Sequence, residues 1–167
     1  MPTAIDLEFA DVNVESTLAI QLSGHSGVDP REIGHAIRAA FESLMSFMGR
    51  RNLAAAGAPR VIYTGHGADG IWFTLAMPIH AQAALAVEAP FRVETLPARR
   101  AYRFTHHGPY ENLRHTYHLI EEFLKGKGWM KSQADWAKYM PMWEEYLNDP
   151  QTTRPENLLT HIYLPVT

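Results

Sequence analysis

Apolar residues alternate with polar ones in eight short stretches of this 167-residue chain, and recur at helical spacing in two longer ones. Residues 5–9 and 17–22 read as strands, with Leu18, Ile20 and Leu22 on one face. Asp29-Pro30-Arg31-Glu32 is a capping box with Pro at the first helical position. The helix it opens carries Ile33, Ile37, Phe41, Leu44 and Met48 on one stripe, and Gly49 is placed to end it. Strands follow at 60–64 and 71–79, joined by the turn-rich run from Gly65 to Gly70. The same order then recurs. Strands at 91–95 and 100–106 precede a helix opened by Gly108-Pro109, with Leu113, Tyr117, Ile120 and Leu124 on its stripe. Strands at 142–147 and 159–166 close the chain around the turn Asn148-Asp149-Pro150.

The two tellings match in detail. Val61-Ile62-Tyr63 leads to a strand ending Met77-Pro78-Ile79, and Trp143-Glu144-Glu145-Tyr146 leads to one ending Leu164-Pro165-Val166. The period is roughly 85 residues, too long for a solenoid and suited to a pseudo-twofold domain. The expected architecture is α+β: one domain over residues 1–167, built from repeats 4–80 and 90–167 joined by a link at 80–90. Each half is β-β-α-β-β. Together they make a mostly antiparallel eight-stranded sheet with both long helices on one face and a ligand cleft between the modules.

Strand alternation predicts faces. With Ile71, Phe73, Leu75 and Met77 toward the helices, Trp72, Thr74 and Ala76 point the other way. Ile162 and Leu164 go to the core, His161 and Tyr163 to the open face. Glu144 and Tyr146 share a face, as do their counterparts Val61 and Tyr63. The open face is thus expected to gather Tyr63, Trp72, Tyr146, His161 and Tyr163 around the single carboxylate of Glu144. Aromatic walls around one acid suit a flat, apolar or cationic small molecule. Glu145 is expected in solvent at a strand end. Trp129 and Trp136 are expected to cover the core.

The Gly108-Pro109-Tyr110 helix start, the run Glu144-x-Tyr146-Leu147-Asn148-Asp149-Pro150 and the terminus Thr160-x-Ile162-Tyr163-Leu164-Pro165-Val166 appear in order. Over about residues 5–166 this pattern resembles the GyrI-like small-molecule-binding domain, the effector-binding domain of bacterial AraC- and MerR-type multidrug regulators. The resemblance implies two modules around a central drug-holding cleft with an acid in its floor, mapping onto Glu144. Some stand-alone relatives hydrolyse cyclopropane-bearing DNA-alkylating natural products with the same carboxylate and neighbouring aromatics. The family's namesake inhibits gyrase by binding it. Two departures matter. No helix-turn-helix accompanies the domain, so a stand-alone form is expected. His161 stands where the family often has an acid, which lowers the expected negative charge of the cleft.

Composition narrows the rest. Hydrophobic residues make up 46% and charged residues 20%, and a formal charge of −3 comes with no basic stripe. Arg50-Arg51 and Arg99-Arg100 are isolated pairs, so no nucleic acid partner is expected. There are no cysteines, which excludes disulfides, thiolate metal sites and Cys nucleophiles. The first eleven residues carry Asp6, Glu8 and Asp11 without a basic n-region, and no apolar run is long enough to span a membrane. A cytoplasmic, soluble protein is expected.

The paired histidines His106-His107 and His115-x-x-His118 invite a metal. However, His115 and His118 share their helix face with Glu111, Arg114, Glu121, Glu122 and Lys125, the solvated side, and HExxH is absent. No metal and no cofactor is expected. Gly65-x-Gly67-x-x-Gly70 lies in a hairpin, and no G-x-S-x-G elbow is present.

Three functions remain. A binding module would sequester or report a hydrophobic, aromatic or cationic compound through Glu144, Tyr146, Tyr63, Trp72, His161 and Tyr163. A hydrolase of strained electrophiles would use Glu144 as general base with Tyr146 or Tyr63 hydrogen-bonding the leaving side, Glu144 and Tyr146 being its catalytic pair. An interaction module would bind another protein. The same acid serves the first two, and both monomer and dimer remain open.

Overall fold

Eight strands and two long helices form where the two periodicities run. The order is β1 (Glu8–Val14), β2 (Thr17–Ser26), α1 (Pro30–Arg50), β3 (Arg60–Gly67), β4 (Gly70–Pro78), β5 (Phe91–Leu96), β6 (Arg99–His107), α2 (Leu113–Gly126), β7 (Trp143–Tyr146) and β8 (Leu159–Pro165). The computed structural model describes residues 7–80 and 87–167. Ile5, the expected start of the first strand, and residues 81–86 of the expected link lie outside that description.

Local chemistry explains the helix ends. Asp29 caps α1, its Oδ1 accepting from the Arg31 amide at 2.8 Å, with Pro30 in the first turn. Gly49 does not end the helix. It lies within the last turn, and the left-handed step falls to Asn52 at φ 55°, a residue whose short polar side chain tolerates that region. Gly108, at φ +113°, releases the chain from β6 into a short 3-10 turn, Tyr110–Asn112, ahead of α2.

The sheet order is β1-β6-β8-β7-β3-β4-β2-β5, every pairing antiparallel. Exchanging β1–β4 with β5–β8 reads the same order backwards, so a pseudo-twofold axis passes between β3 and β7. The first strand of each half lies beyond the other half's second strand: β1 pairs with β6, and β5 with β2.

This order forces the sheet to bend. Only Glu15-Ser16 separate β1 from β2, and three steps of the chain reach about 11 Å at most. Yet those strands stand toward opposite ends of the order. The pairs Val14↔Arg99 and Thr17↔Leu96 continue one ladder, so β1–β2 and β5–β6 are two long bent strands lying against each other. The sheet therefore curls, bringing β1 and β2 together at this corner. Both helices pack on the outer face: Leu44, Phe47 and Met48 of α1 against Ile20, Val61, Phe73, Leu75 and Met77. Ile120 and Leu124 of α2 pack against Phe104, Ile162 and Leu164. The helix-free face is not open. It lines the inside of the curl, where Trp143, Tyr163 and Ala101 form a core of their own with Val12, Val14 and Ile62.

Candidate functional site

A row of paired residues crosses the outer face beneath the helices: Leu22, Leu75, Val61, Glu144, Ile162 and Phe104. Cross-strand partners share a face, so Glu144 is the one charged member of an otherwise apolar row. It stands at the β3–β7 seam, on the pseudo-twofold axis, and is 4% exposed.

Three tyrosine hydroxyls surround the carboxylate. Tyr146, two residues along β7, donates to Oε1 at 2.6 Å, and Tyr63 of β3 donates to the same oxygen at 3.3 Å. Tyr117, from α2 above the sheet, donates to Oε2 at 2.5 Å. The Tyr110 ring meets Tyr146 edge-on at 5.3 Å. Behind Tyr117 lies the Trp136 ring, 6.3 Å away. One further neighbour is polar. His106 of β6 is buried, shares a 2.6 Å hydrogen bond with Thr116 of α2 through Nδ1, and bonds the Pro109 carbonyl through Nε2 at 3.0 Å.

Burial pushes the Glu144 pKa up. The hydroxyls of Tyr117, Tyr146 and Tyr63 and the nearby His106 pull the other way without cancelling it. The three tyrosines are pushed well above their ordinary value, first by burial and then by the Glu144 charge. No salt bridge joins Glu144 to a Lys or Arg among the described residues. The arrangement is a desolvated acid with aromatic walls, four acceptor positions and three donors already in place.

The structure brings together Glu144, Tyr146 and Tyr63. It separates them from Trp72, His161 and Tyr163, correcting the expectation that all six share one face. Alternation holds within each strand, but the phase between strands differs from the expected one. Glu144 pairs with Ile162 and Val61, which puts it on the helix side, whereas His161 pairs with Glu145 and Tyr163 with Trp143 inside the curl. Trp72 also faces away from Glu144. It is 42% exposed, and its ring lies 4.4 Å from the His25 ring at a tilted angle of 43°.

Glu145 is likewise not in solvent. It lies inside the curl, 3.6 Å from both Arg60 and His161, and accepts from the Tyr163 hydroxyl at 3.3 Å. Burial there lowers the His161 pKa, with Arg103 adding to the effect. Glu121, expected on the solvated side of α2, is buried as well. His115 and His118 are exposed, and His118 meets Glu122 at 3.2 Å. Among the described residues no group of three or more His, Asp or Glu is placed to hold a metal ion.

Sequence reasoning missed Tyr117, His106 and Tyr110. Tyr117 sat in the apolar stripe of α2, and a tyrosine there carries a hydroxyl that needs a partner when buried. Asking where that hydroxyl goes could have found it. A groove of about 290 Å³ between Tyr102, Trp129, Lys138 and Tyr139 shares no residue with the tyrosine cage.

Residues 73–167, more than half of the chain, match the GyrI-like small molecule binding domain. The chain belongs to that family. Among curated proteins none is significantly similar in sequence. Solved structures share the fold. The EcmrR C-terminal domain superposes with a TM-score of 0.71 at 13% identity, covering 98% of this chain and 99% of that one. SAV2435, solved bound to tetraphenylphosphonium, gives 0.61 at 12% identity over 98% and 94%. A hydrolase from Listeria innocua gives 0.58 at 13% identity over 99% and 94%. No helix among the described residues is long and apolar enough to cross a membrane.

Proposed function

We propose that this domain binds hydrophobic, aromatic cations beneath its two helices, with Glu144 as the recognising charge. The observation that carries this reading is a carboxylate withdrawn from water among Tyr63, Tyr117 and Tyr146 with no Lys or Arg ion-paired to it among the described residues. A buried charge without a counter-ion is costly. A lipophilic cation removes that cost while its rings cover the tyrosine faces. The tetraphenylphosphonium held by SAV2435 is a molecule of this class. The same reading makes the protein a cytoplasmic bacterial receptor for several drug-like compounds, acting by sequestration or by reporting to a partner protein.

The test compares tetraphenylphosphonium with neutral triphenylphosphine oxide. Glu144→Gln should weaken the cation about tenfold or more and the neutral compound only slightly, since hydrogen bonds and pairs involving a charge are the stronger ones. Acid should act like the substitution. Protonating Glu144 below its raised pKa removes the charge, so cation affinity should fall while neutral affinity holds. Equal losses for both probes would remove Glu144 from recognition.

A second reading is favoured by the raised Glu144 pKa, which suits a general base. Glu144 would take a proton from water as the water oxygen bonds to a strained ring carbon. The ring C–C bond would break and its electron pair pass to a conjugated carbonyl oxygen, the leaving side, which Tyr146 or Tyr63 would hydrogen-bond. Single-turnover assays on a cyclopropane-bearing alkylator decide it. Glu144→Gln should slow turnover roughly 100-fold with binding retained.

A further inference from the structure

We propose that Glu121 is a positioning residue for the carboxylate site: it latches the segment after α2 back onto the helix and, through Trp136, holds Tyr117 in place against Glu144. The proposal rests on the reading of Glu144 as the ligand-recognising group.

Glu121 follows Tyr117 by one helical turn, so the two side chains lie one above the other on α2. Its side chain is 12% exposed. Its two oxygens do different things. Oε2 meets Lys125 at 3.2 Å, an ordinary surface pair. Oε1 turns inward and accepts from Gln133 Nε2 at 2.5 Å and from the Trp136 indole N–H at 3.0 Å. Both donors belong to the short 3-10 helix Gln133–Tyr139, so one carboxylate oxygen ties that helix to α2. The Trp136 bond, more than the opposing effect of burial or the added pull of Lys125, holds the Glu121 pKa below the ordinary value.

The tie leads to the site. Trp136 meets Tyr117 edge-to-face at 6.3 Å, and Tyr117 donates to Glu144 Oε2. A solvated salt bridge would need only the Lys125 contact. The inward oxygen fixes the ring that backs Tyr117, and Tyr117 is the one cage donor supplied from outside the sheet.

The charged and titratable groups on the path can be named. Around Glu121 stand Lys125 and His118 on α2, while Asp135 and Lys138 of the latch segment meet each other at 3.9 Å. Around Glu144 stand Tyr63, Tyr146, Tyr117 and His106.

The experiment uses the full chain, with tetraphenylphosphonium as probe and the Trp136 indole N–H resonance as a ligand-independent reporter. Glu121→Leu should weaken binding about tenfold, the scale of a lost hydrogen bond to a charged group, and Glu121→Gln, which keeps one acceptor, should weaken it less. Trp136→Phe should match Glu121→Leu, and the double variant should lose no more than either single one. Lys125→Met, which breaks only the outward contact, should bind like the wild type. In the unliganded protein the indole resonance should move as Glu144 titrates, should stay still in Glu144→Gln, and should lose that response in Glu121→Leu.

Equal weakening by Lys125→Met, additive losses in the double variant, or an unchanged indole response in Glu121→Leu would overturn the latch. If the wild type fails to bind the cation, the ligand reading falls and the indole titration alone decides the latch. If Glu121→Leu does not fold, Glu121→Gln and Trp136→Phe carry the same comparison.

Discussion

The two halves solve one packing problem in opposite ways. On the outer face of the first half, Tyr63 pairs with Phe73 and Phe73 with Gly24. The Phe73 ring fills the space, and a Cβ at Gly24 would come within 2.5 Å of it. The related row of the second half is Tyr146, Thr160 and His106. It is closed by hydrogen bonds to Thr116 and Pro109, and the fully buried Thr160 hydroxyl has no hydrogen-bond partner among the described residues. At the axis itself Val61 faces Glu144. One half stabilises by apolar filling. The other spends stability on polar groups around an acid, the pattern expected where a fold carries a site.

The hardest way to break the asymmetry is to make the halves alike. Val61→Glu would put two buried carboxylates directly opposite each other across β3 and β7. The loss should be about 3–5 kcal/mol or outright failure to fold, read by denaturant unfolding. A milder wild-type-like result would mean that the seam admits water.

The two ways of closing the row can be compared directly. His106→Ala should cost about 1–3 kcal/mol, because Thr116 and the Pro109 carbonyl lose their buried partner. Gly24→Ala should cost a similar amount, about 1–3 kcal/mol, by forcing Phe73 aside. The distinction is in the ligand. His106→Ala should alter cation affinity through Glu144, whereas Gly24→Ala should leave it unchanged at temperatures where the variant is folded.

Stability against pH sharpens the same contrast. Glu144 has a raised folded pKa, so the fold favours its neutral form. Its contribution is complete below the ordinary carboxylate value and is lost as pH rises through the raised one. Relative to the wild type, Glu144→Gln should therefore gain stability as pH rises from about 4, the ordinary carboxylate range, through the raised Glu144 pKa. A parallel pH profile for the two proteins would show Glu144 titrating as an ordinary surface acid.

The smallest effect ranks the tyrosines. Tyr117→Phe and Tyr146→Phe remove the shorter bonds and should raise the Glu144 pKa further, each costing about 1 kcal/mol. Tyr63→Phe, at 3.3 Å, should do less. Carboxyl-carbon titrations by NMR give the order.

Much of this was legible in the chain. Alternation and helical spacing placed the later seven strands and both helices near their observed bounds, because those periods follow from backbone geometry, whereas the first strand, expected at 5–9, runs at Glu8–Val14. The repeat announced the twofold, and the unequal Val61 and Glu144 announced the asymmetry. Glu144, Tyr146 and Tyr63 were grouped because residues two apart in a strand share a face.

Tertiary structure alone decided the rest. Nothing local states which face of β7 aligns with which face of β8, so Glu144 was set beside His161 and Tyr163 instead of opposite them. Two residues separate β1 from β2 and β5 from β6, and only the strand order shows that these short links are corners that curl the sheet. That curl turns the helix-free face into an interior and leaves Glu145 half-buried. Tyr117 and Glu121 looked like one core residue and one solvated acid. Their partners, Glu144 and Trp136, lie 27 and 15 residues away, and no short-range pattern carries a contact of that separation.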